Sequence, residues 1–417
     1  MTKPYQLSTA VLTCSLRRAV FALVLVCVTM TVTIPVLSAQ TLTVLHNFTG
    51  GVDGAYPDAG LTMDSSGNLY GTTFGAGYSN SNGSVYKLTY KNGGWTFAPL
   101  HTFTGGDDGG LPYAGVTFGP DGTLFGTSSV GGAHSQGTVF RLQPLPHFSP
   151  NLLAPWVETV LYSFQGGNDG ANPYGAVTFD QAGNIYGTTY AGGGPRGGNG
   201  TVYEMTPSGS GHWTENVIYS FSNSDGSIPV SSLTLDNAGD LYGTTVAGGA
   251  NGYGTIYELT YSAGSGWAQS FLYSFNANGV ANPYVGLIFD PLGNLYGATA
   301  DGAGGIFKLT PSGDTWIYSL LYGSGGGISA CGARGNLVRD GEGNLYGTTY
   351  CDGSNGTIFE LIPINGRWTY TTLYYFTGGN DGYWPSSNVV MDASGNLYGT
   401  TQSGGQYGYG VVWEITP

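Results

Sequence analysis

Charge is what this sequence has least of. Of 417 residues, 11 are Lys or Arg, 25 are Asp or Glu and five are His. Neutralising a phosphate backbone takes clusters of Lys and Arg, and none exists here, so nucleic acid is excluded as a partner. Cysteine is just as sparse: there are four, with no Cys-x-x-Cys pair and no Cys/His spacing of a zinc or redox centre. Glu and Lys, strong helix formers, give way to Gly (74), Tyr (31), Thr and Val, which excludes a helical bundle and favours turn-rich β-structure. Disorder is excluded as well, because aromatics reach 14% while charge stays at 9%. No Gly-x-Ser-x-Gly elbow, His-Glu-x-x-His, Walker loop or dinucleotide fingerprint is present. The histidines (46, 101, 134, 147 and 212) occupy unrelated places and form no visible catalytic base.

Long apolar runs are absent but for one. Lys3, Arg17 and Arg18 precede an apolar stretch from Ala19 to Leu37, and Ser38-Ala39 offer small residues before Gln40. Residues 1–39 therefore read as a secretory signal peptide. An uncleaved anchor is the alternative, since about 20 apolar residues cross a bilayer. The mature domain, 40–417, carries eight bases against 25 acids, a net charge of −17. It is expected outside the cytoplasm, whether extracellular, on the cell surface or periplasmic, as a monomer with no membrane contact after cleavage.

What is present is repetition. Gly67-Asn68-Leu69-Tyr70-Gly71-Thr72-Thr73 recurs at Gly122–Ser128, Gly183–Thr189, Gly239–Thr245, Gly293–Thr299, Gly343–Thr349 and Gly395–Thr401. The central glycines (71, 126, 187, 243, 297, 347 and 399) are about 55 residues apart, close to the length of a four-stranded propeller blade. Each unit reads as four strands: A (Gly60 to Asp64), B (the Asn-Leu-Tyr-Gly-Thr-Thr run), C (Ser84 to Thr89) and D (Trp95 to Phe103). An Asp opens the A–B turn in six copies and a Gly follows in all seven, which is hairpin chemistry. Residues Thr41–Phe48 match strand D yet precede the first A strand, and the chain stops after the seventh C strand. The sequence thus predicts an all-β, seven-bladed β-propeller with four antiparallel strands per blade, closed by the N-terminal strand completing the last blade.

The pattern of Gly-Asn-Leu-Tyr-Gly-Thr-Thr, a Gly-rich loop, then Gly-Thr-[Val/Ile]-[Tyr/Phe]-x-Leu resembles the Gloeo/Verruco (GloVer) tandem repeat family. It stands at Gly183–Met205 and at Gly343–Leu361, and the resemblance covers residues 41–417. It implies an exported bacterial propeller-like protein and no particular activity. Many members carry a C-terminal sorting segment, and none is read here.

Three aromatic positions recur. Tyr70 and its copies stand in strand B, Tyr86 and its copies in strand C, and Phe48, Phe103, Phe164, Phe221, Phe275 and Phe376 at the end of strand D. These rings read as packing between blades, and the strand B glycine as a close approach of the neighbouring sheet. One strand C position alternates in charge (Lys87, Arg141, Glu204, Glu258, Lys308, Glu360, Glu414), which reads as ion pairing between blades.

Function is sought in the D–A and B–C loops, expected together at one end of the ring. In the D–A loop Asp53, Asp108, Asp169 and Asp381 are equivalent, with Asp225 similar. They form either a carboxylate rim for Ca²⁺ or polar sugars, or an Asx turn. The spacing lacks the density of a calcium loop, so the turn is favoured and no cofactor is expected. Before strand A stand Asp58, Tyr113, Tyr174, Val230, Tyr284, Arg334 and Ser386, where the chain reaches the channel mouth. Tyr113, Tyr174, Tyr284 and nearby Trp384 either offer stacking platforms for a sugar or plug the funnel. Blade 6 adds Arg334 and has Arg339 where other A strands are apolar, giving two candidates to anchor an anionic ligand. The competing reading of Arg339 is an ion pair with Asp340, Asp352 or Glu342. Cys331 and Cys351 fall opposite each other across the blade 6 A–B hairpin, as expected of a disulfide in an exported protein.

The favoured reading is a non-catalytic module that binds glycan or extracellular protein through its loop-rich face. A carbohydrate-active hydrolase or lyase using carboxylates at the channel mouth is the alternative, and a purely structural surface protein is third.

Overall fold

The structure, a computed structural model, describes residues 40–416 apart from 76–81, 146–155, 195–196, 210, 277–279, 303 and 324–331. The signal segment and Cys331 lie outside the described residues. Seven four-stranded sheets follow one another, each antiparallel and ordered A-B-C-D. In blade 1 these strands are Thr62–Met63, Leu69–Thr73, Ser84–Lys91 and Gly94–Thr102. Blade 7 takes Val390–Met391, Leu397–Thr401 and Val411–Ile415 from the end of the chain and Leu42–Asn47 from its beginning. There Leu42 pairs with Ile415 and Val44 with Trp413, so the ring closes as the sequence predicts. Blade 5 adds a two-stranded ribbon, Val280–Ala281 with Asp301–Gly302, and blade 6 a single 3₁₀ turn, Asp352–Ser354.

The A–B turn is built by its aspartate. In blade 1, Asp64 Oδ1 accepts the amides of Ser66 and Asn68, and Oδ2 accepts Asn68 Nδ2 and the Tyr70 hydroxyl. Gly67 takes φ +78°, a conformation that favours glycine. The same bonds recur around Asp290 and Asp392.

The three aromatic positions do pack between blades. Phe48 meets Tyr86 of blade 1 at 5.3 Å, and Phe103, Phe164 and Phe221 meet Phe140, Tyr203 and Tyr257 of the following blade at 5.1 Å. Tyr70 of blade 1 packs on Phe118 and Trp156 of blade 2. The strand B glycine corrects the expectation of a close neighbouring sheet. A Cβ on Gly187 would fall 2.3 Å from the hydroxyl of Tyr203, its partner on strand C of the same blade. The glycine makes room for a ring lying across its own sheet, a cross-strand pairing of glycine and aromatic.

The alternating charges also differ from expectation. Among the described residues the ion pairs are His46–Asp53 and His101–Asp108, and none joins two strand C charges. Instead six of the seven use the strand B tyrosine beside them. Glu204, Glu258, Glu360 and Glu414 accept the hydroxyls of Tyr186, Tyr242, Tyr346 and Tyr398, while Lys87 and Lys308 lie over the rings of Tyr70 and Tyr296. Pairing in register puts that ring directly opposite the charge, and in blade 2 Arg141 faces Phe125 in the same way.

Candidate functional site

Bridges such as Ala55↔Gly75, Gly110↔Val130 and Ala171↔Ala191 tie each D–A loop to the B–C loop of the same blade, so both emerge at one end. In six blades the D–A loop enters through a non-glycine residue at positive φ (Tyr56, Leu111, Asn172, Ile228, Asn282, Trp384), followed by proline. A β-branched residue such as Ile228 is strained at φ +60°, and the surrounding bonds hold it: its amide donates to the Asn199 carbonyl, and its own carbonyl accepts the Val246 amide. The kink turns the next residue inward, onto the channel mouth.

That mouth is a cavity of about 350 Å³, lined by Asp58, Tyr113, Tyr174, Val230, Tyr284, Arg334 and Ser386 and by a second tier just after strand B that includes Tyr190, Tyr350 and Gln402. Its two sides differ in chemistry. Across blades 1 to 3, Phe74, Tyr113, Tyr174 and Tyr190 form a ladder with ring centroids 4.6, 4.3 and 5.0 Å apart. Val230, Ile228 and Val246 extend this wall into blade 4. Burial, together with Tyr174 and Asp58, pushes the Tyr113 hydroxyl up to about 12, so it stays a neutral hydrogen-bonding group.

The opposite side is polar and tightly organised. Asp58 Oδ1 accepts Ser386 Oγ at 2.7 Å, and Oδ2 accepts Gln402 Nε2 at 2.9 Å. Tyr350 donates to Gln402 Oε1 at 3.1 Å. Arg334 lies between two rings, 4.2 Å from the centroid of Tyr350 and 5.7 Å from that of Tyr284. Trp384 stands behind Tyr350, stacked at 5.6 Å. Burial raises the Asp58 carboxyl, opposed by the bonds from Ser386 and Gln402 and by the charge of Arg334.

Below the mouth the A strands line the channel. The threonines of blades 1 to 4 (62, 117, 178 and 234) each donate to a carbonyl of the next blade; blades 6 and 7 have Val338 and Val390 there and contribute Asn336 and Asn388 two residues earlier, at the place of Gly60. Asn336 Oδ1 accepts the Gly286 amide and Asn388 Oδ1 the Asn336 amide, so both staple neighbouring blades.

Of the candidates read from the sequence, Tyr113, Tyr174, Tyr284 and Arg334 converge at the mouth, and Trp384 joins through Tyr350. The others do not. Asp169 accepts Tyr162 Oη and the Gln165 amide, and Asp381 accepts Tyr374 Oη and the Thr377 amide and hydroxyl. Both clasp their own loops by accepting the amide four residues before them, rather than forming the Asx turn expected, whose bond runs forward to the amide two residues on. No group of three or more metal-ligating side chains forms among the described residues. Arg339 lies near the A–B turns, with Asp340, Glu342 and Asp392 around it, and donates to the Asp340 carbonyl at 3.4 Å. It stands where blades 2, 3 and 5 set Phe118, Phe179 and Phe289 against the strand B ring of the preceding blade, here Tyr296, and no carboxylate pairs with it among the described residues. It lines the pocket beside the A–B turns whereas Arg334 lines the mouth, so the two arginines serve different places.

Tyr190, Tyr350 and Gln402 escaped the sequence reading. They follow the repeated Thr-Thr pair directly, at a place that is otherwise Phe74, Ser129, Val246 and Ala300. This variation within a constant repeat was the available signal.

The profile of the Gloeobacter/Verrucomicrobia repeat matches residues 31–158, 148–322 and 265–417, three overlapping stretches. The chain belongs to this family. No curated protein matches this Gloeobacter/Verrucomicrobia repeat protein. Among solved structures it is similar to two provisionally named 6-phosphogluconolactonases. One, from Bacteroides fragilis, is 13% identical with TM-score 0.50 over 80% of this chain and 94% of that one. The other, from Bacteroides uniformis, is 18% identical with TM-score 0.48 over 76% and 83%. A protein of unknown function from Dyadobacter fermentans is 11% identical, with TM-score 0.45 over 91% and 100%. At these identities the likeness is one of fold.

Proposed function

We propose that this repeat protein is an exported, non-catalytic binding module whose channel mouth takes up a glycan. The observation that carries the reading is the division of the mouth into an aromatic ladder on one side and a hydrogen-bonded polar cluster on the other. A sugar ring has matching halves: its C–H face stacks on tyrosine while its hydroxyls seek fixed donors and acceptors. A cavity of about 350 Å³ suits a small saccharide better than a broad protein surface, which favours glycan over protein. Asp58 is the one carboxylate among the described residues lining the mouth, so the two-carboxylate arrangement of a glycoside hydrolase finds no support there.

Export rests on the basic-then-apolar layout of residues 1–39. The Cys331–Cys351 disulfide belongs to the same reading, and Cys351 being disulfide-bonded supports it. Glycan-array binding by residues 40–417 tests the function. Tyr174→Ala and Trp384→Ala are expected to weaken the bound glycan severalfold to about tenfold, the scale of one lost aromatic contact. Unchanged binding in both variants would place the ligand elsewhere.

A further inference from the structure

The chemistry of Arg334 narrows the ligand. Among the described residues lining the mouth it is the single base. No carboxylate of the described residues stands within ion-pair distance of it, so its charge is open to a ligand entering the mouth. Asp58 does not serve as its partner. Both of its oxygens are taken by neutral donors, Ser386 Oγ and Gln402 Nε2, and burial favours its uncharged form. The guanidinium carbon lies 4.2 Å from the ring centroid of Tyr350 and 5.7 Å from that of Tyr284, and the side chain remains exposed. Ring stacking fixes the plane of an arginine while leaving its N–H edge open, and that edge matches a planar, two-oxygen acceptor. Lysine in this place would lack both the stacking plane and the fork.

We infer that Arg334 receives the carboxylate of an acidic sugar, so that the mouth selects uronic-acid glycans over neutral ones. This rests on the glycan reading above. The aromatic ladder, which includes Tyr113 and Tyr174, faces the sugar ring, and Arg334 across the cavity takes the acid group. A carboxylate presents two coplanar oxygens to such a fork; a sulfate ester can be held by the same two donors, and the sulfated arm of the test below separates the two. The mature chain's net charge of −17 works against indiscriminate anion binding, so a single oriented cation can act as a filter.

The test uses residues 40–417 on an array of uronic-acid oligosaccharides, the same oligosaccharides with their carboxyls reduced to alcohols, and sulfated neutral oligosaccharides. Titration calorimetry follows on the best pair. Uronates are expected to bind about tenfold or more tighter than their reduced counterparts, the scale of a charge-assisted hydrogen bond. Arg334→Gln removes that preference, so that uronates and their reduced counterparts bind alike, and Arg334→Lys restores part of it. Arg334 is exposed, so both variants keep the wild-type melting temperature. Equal binding of uronate and reduced glycans, a preference that survives Arg334→Gln, or a preference for sulfate esters overturns the acid-sugar assignment while the glycan reading stands. If no glycan binds, both fall.

Discussion

Thr400 in strand B of blade 7 donates its hydroxyl to the carbonyl of Pro57 at 2.7 Å, joining positions 343 residues apart in sequence. The bond belongs to a series. Thr72, Thr127, Thr188 and Thr348 reach the approach to strand A of the next blade in the same way, at 3.0, 3.1, 3.0 and 3.2 Å. Each contact holds the backbone beside the residue that faces the channel mouth. Thr400 makes the equivalent bond to the Ala59 carbonyl at 3.3 Å and adds the one to Pro57, so the closing contact between blades 7 and 1 is of the same kind as the internal ones and holds the backbone on both sides of Asp58.

If closure is of that kind, the N-terminal strand is as well anchored as an internal one. Phe48 and Phe164 are both fully buried and occupy equivalent places. Truncating either to Ala is expected to cost about 3–5 kcal/mol in chemical denaturation, and the two values should agree within the scatter of such measurements. A much smaller cost for Phe48→Ala would mean that the first strand frays and the ring is open.

The pairing of glycine with a ring gives opposite signs for two neighbouring substitutions. The Tyr203 hydroxyl is buried with no hydrogen-bond partner, and blades 2, 5 and 6 carry Phe at that place. Tyr203→Phe is expected to raise stability by about 1 kcal/mol, the cost of an unsatisfied buried polar group. Gly187→Ala puts a methyl into the same ring and is expected to lower stability by about 1–3 kcal/mol. Denaturation midpoints that move together in one direction would contradict this geometry.

Two buried acids predict how stability follows pH. Burial, with a smaller contribution from Asp108, lifts the Glu158 carboxyl from its ordinary 4.5 to about 7. Glu215 is raised in the same sense by burial and by Asp169 beside it. A raised acid keeps its proton in the folded chain after the unfolded chain has lost its own. Stability is therefore greatest below about pH 4.5 for these groups and declines as pH climbs through about 7. In the Glu158→Gln, Glu215→Gln double variant that decline is expected to be shallower, and the variant to be more stable than wild type at about pH 8.5. Melting temperatures across this range check it, and parallel curves for the two proteins would refute the assignment.

Much of this was legible in the sequence, for a physical reason. Where seven units must dock on one another, each position is written seven times, so blade count, strand order and the closing strand could all be read by comparison. Tyr113, Tyr174, Tyr284 and Arg334 were found because they interrupt an otherwise regular row. Partners across a strand pair were harder to read. The charges of Glu414 and Lys87 suggested each other across the closing blades, yet each settled on the tyrosine beside it, because register is local and blade-to-blade distance is not. Arg339 looked like a companion of Arg334 from its number alone. It lines the pocket beside the A–B turns instead.

The most direct test of the central claim is a crystal structure of residues 40–417 soaked with the glycan that binds best on an array. The account predicts a sugar ring in the mouth, one face on Tyr113 and Tyr174 and its polar groups toward Asp58 and Arg334. A glycan seated on the outer strands or among the A–B turns, with the mouth closed by its own tyrosines, would contradict it.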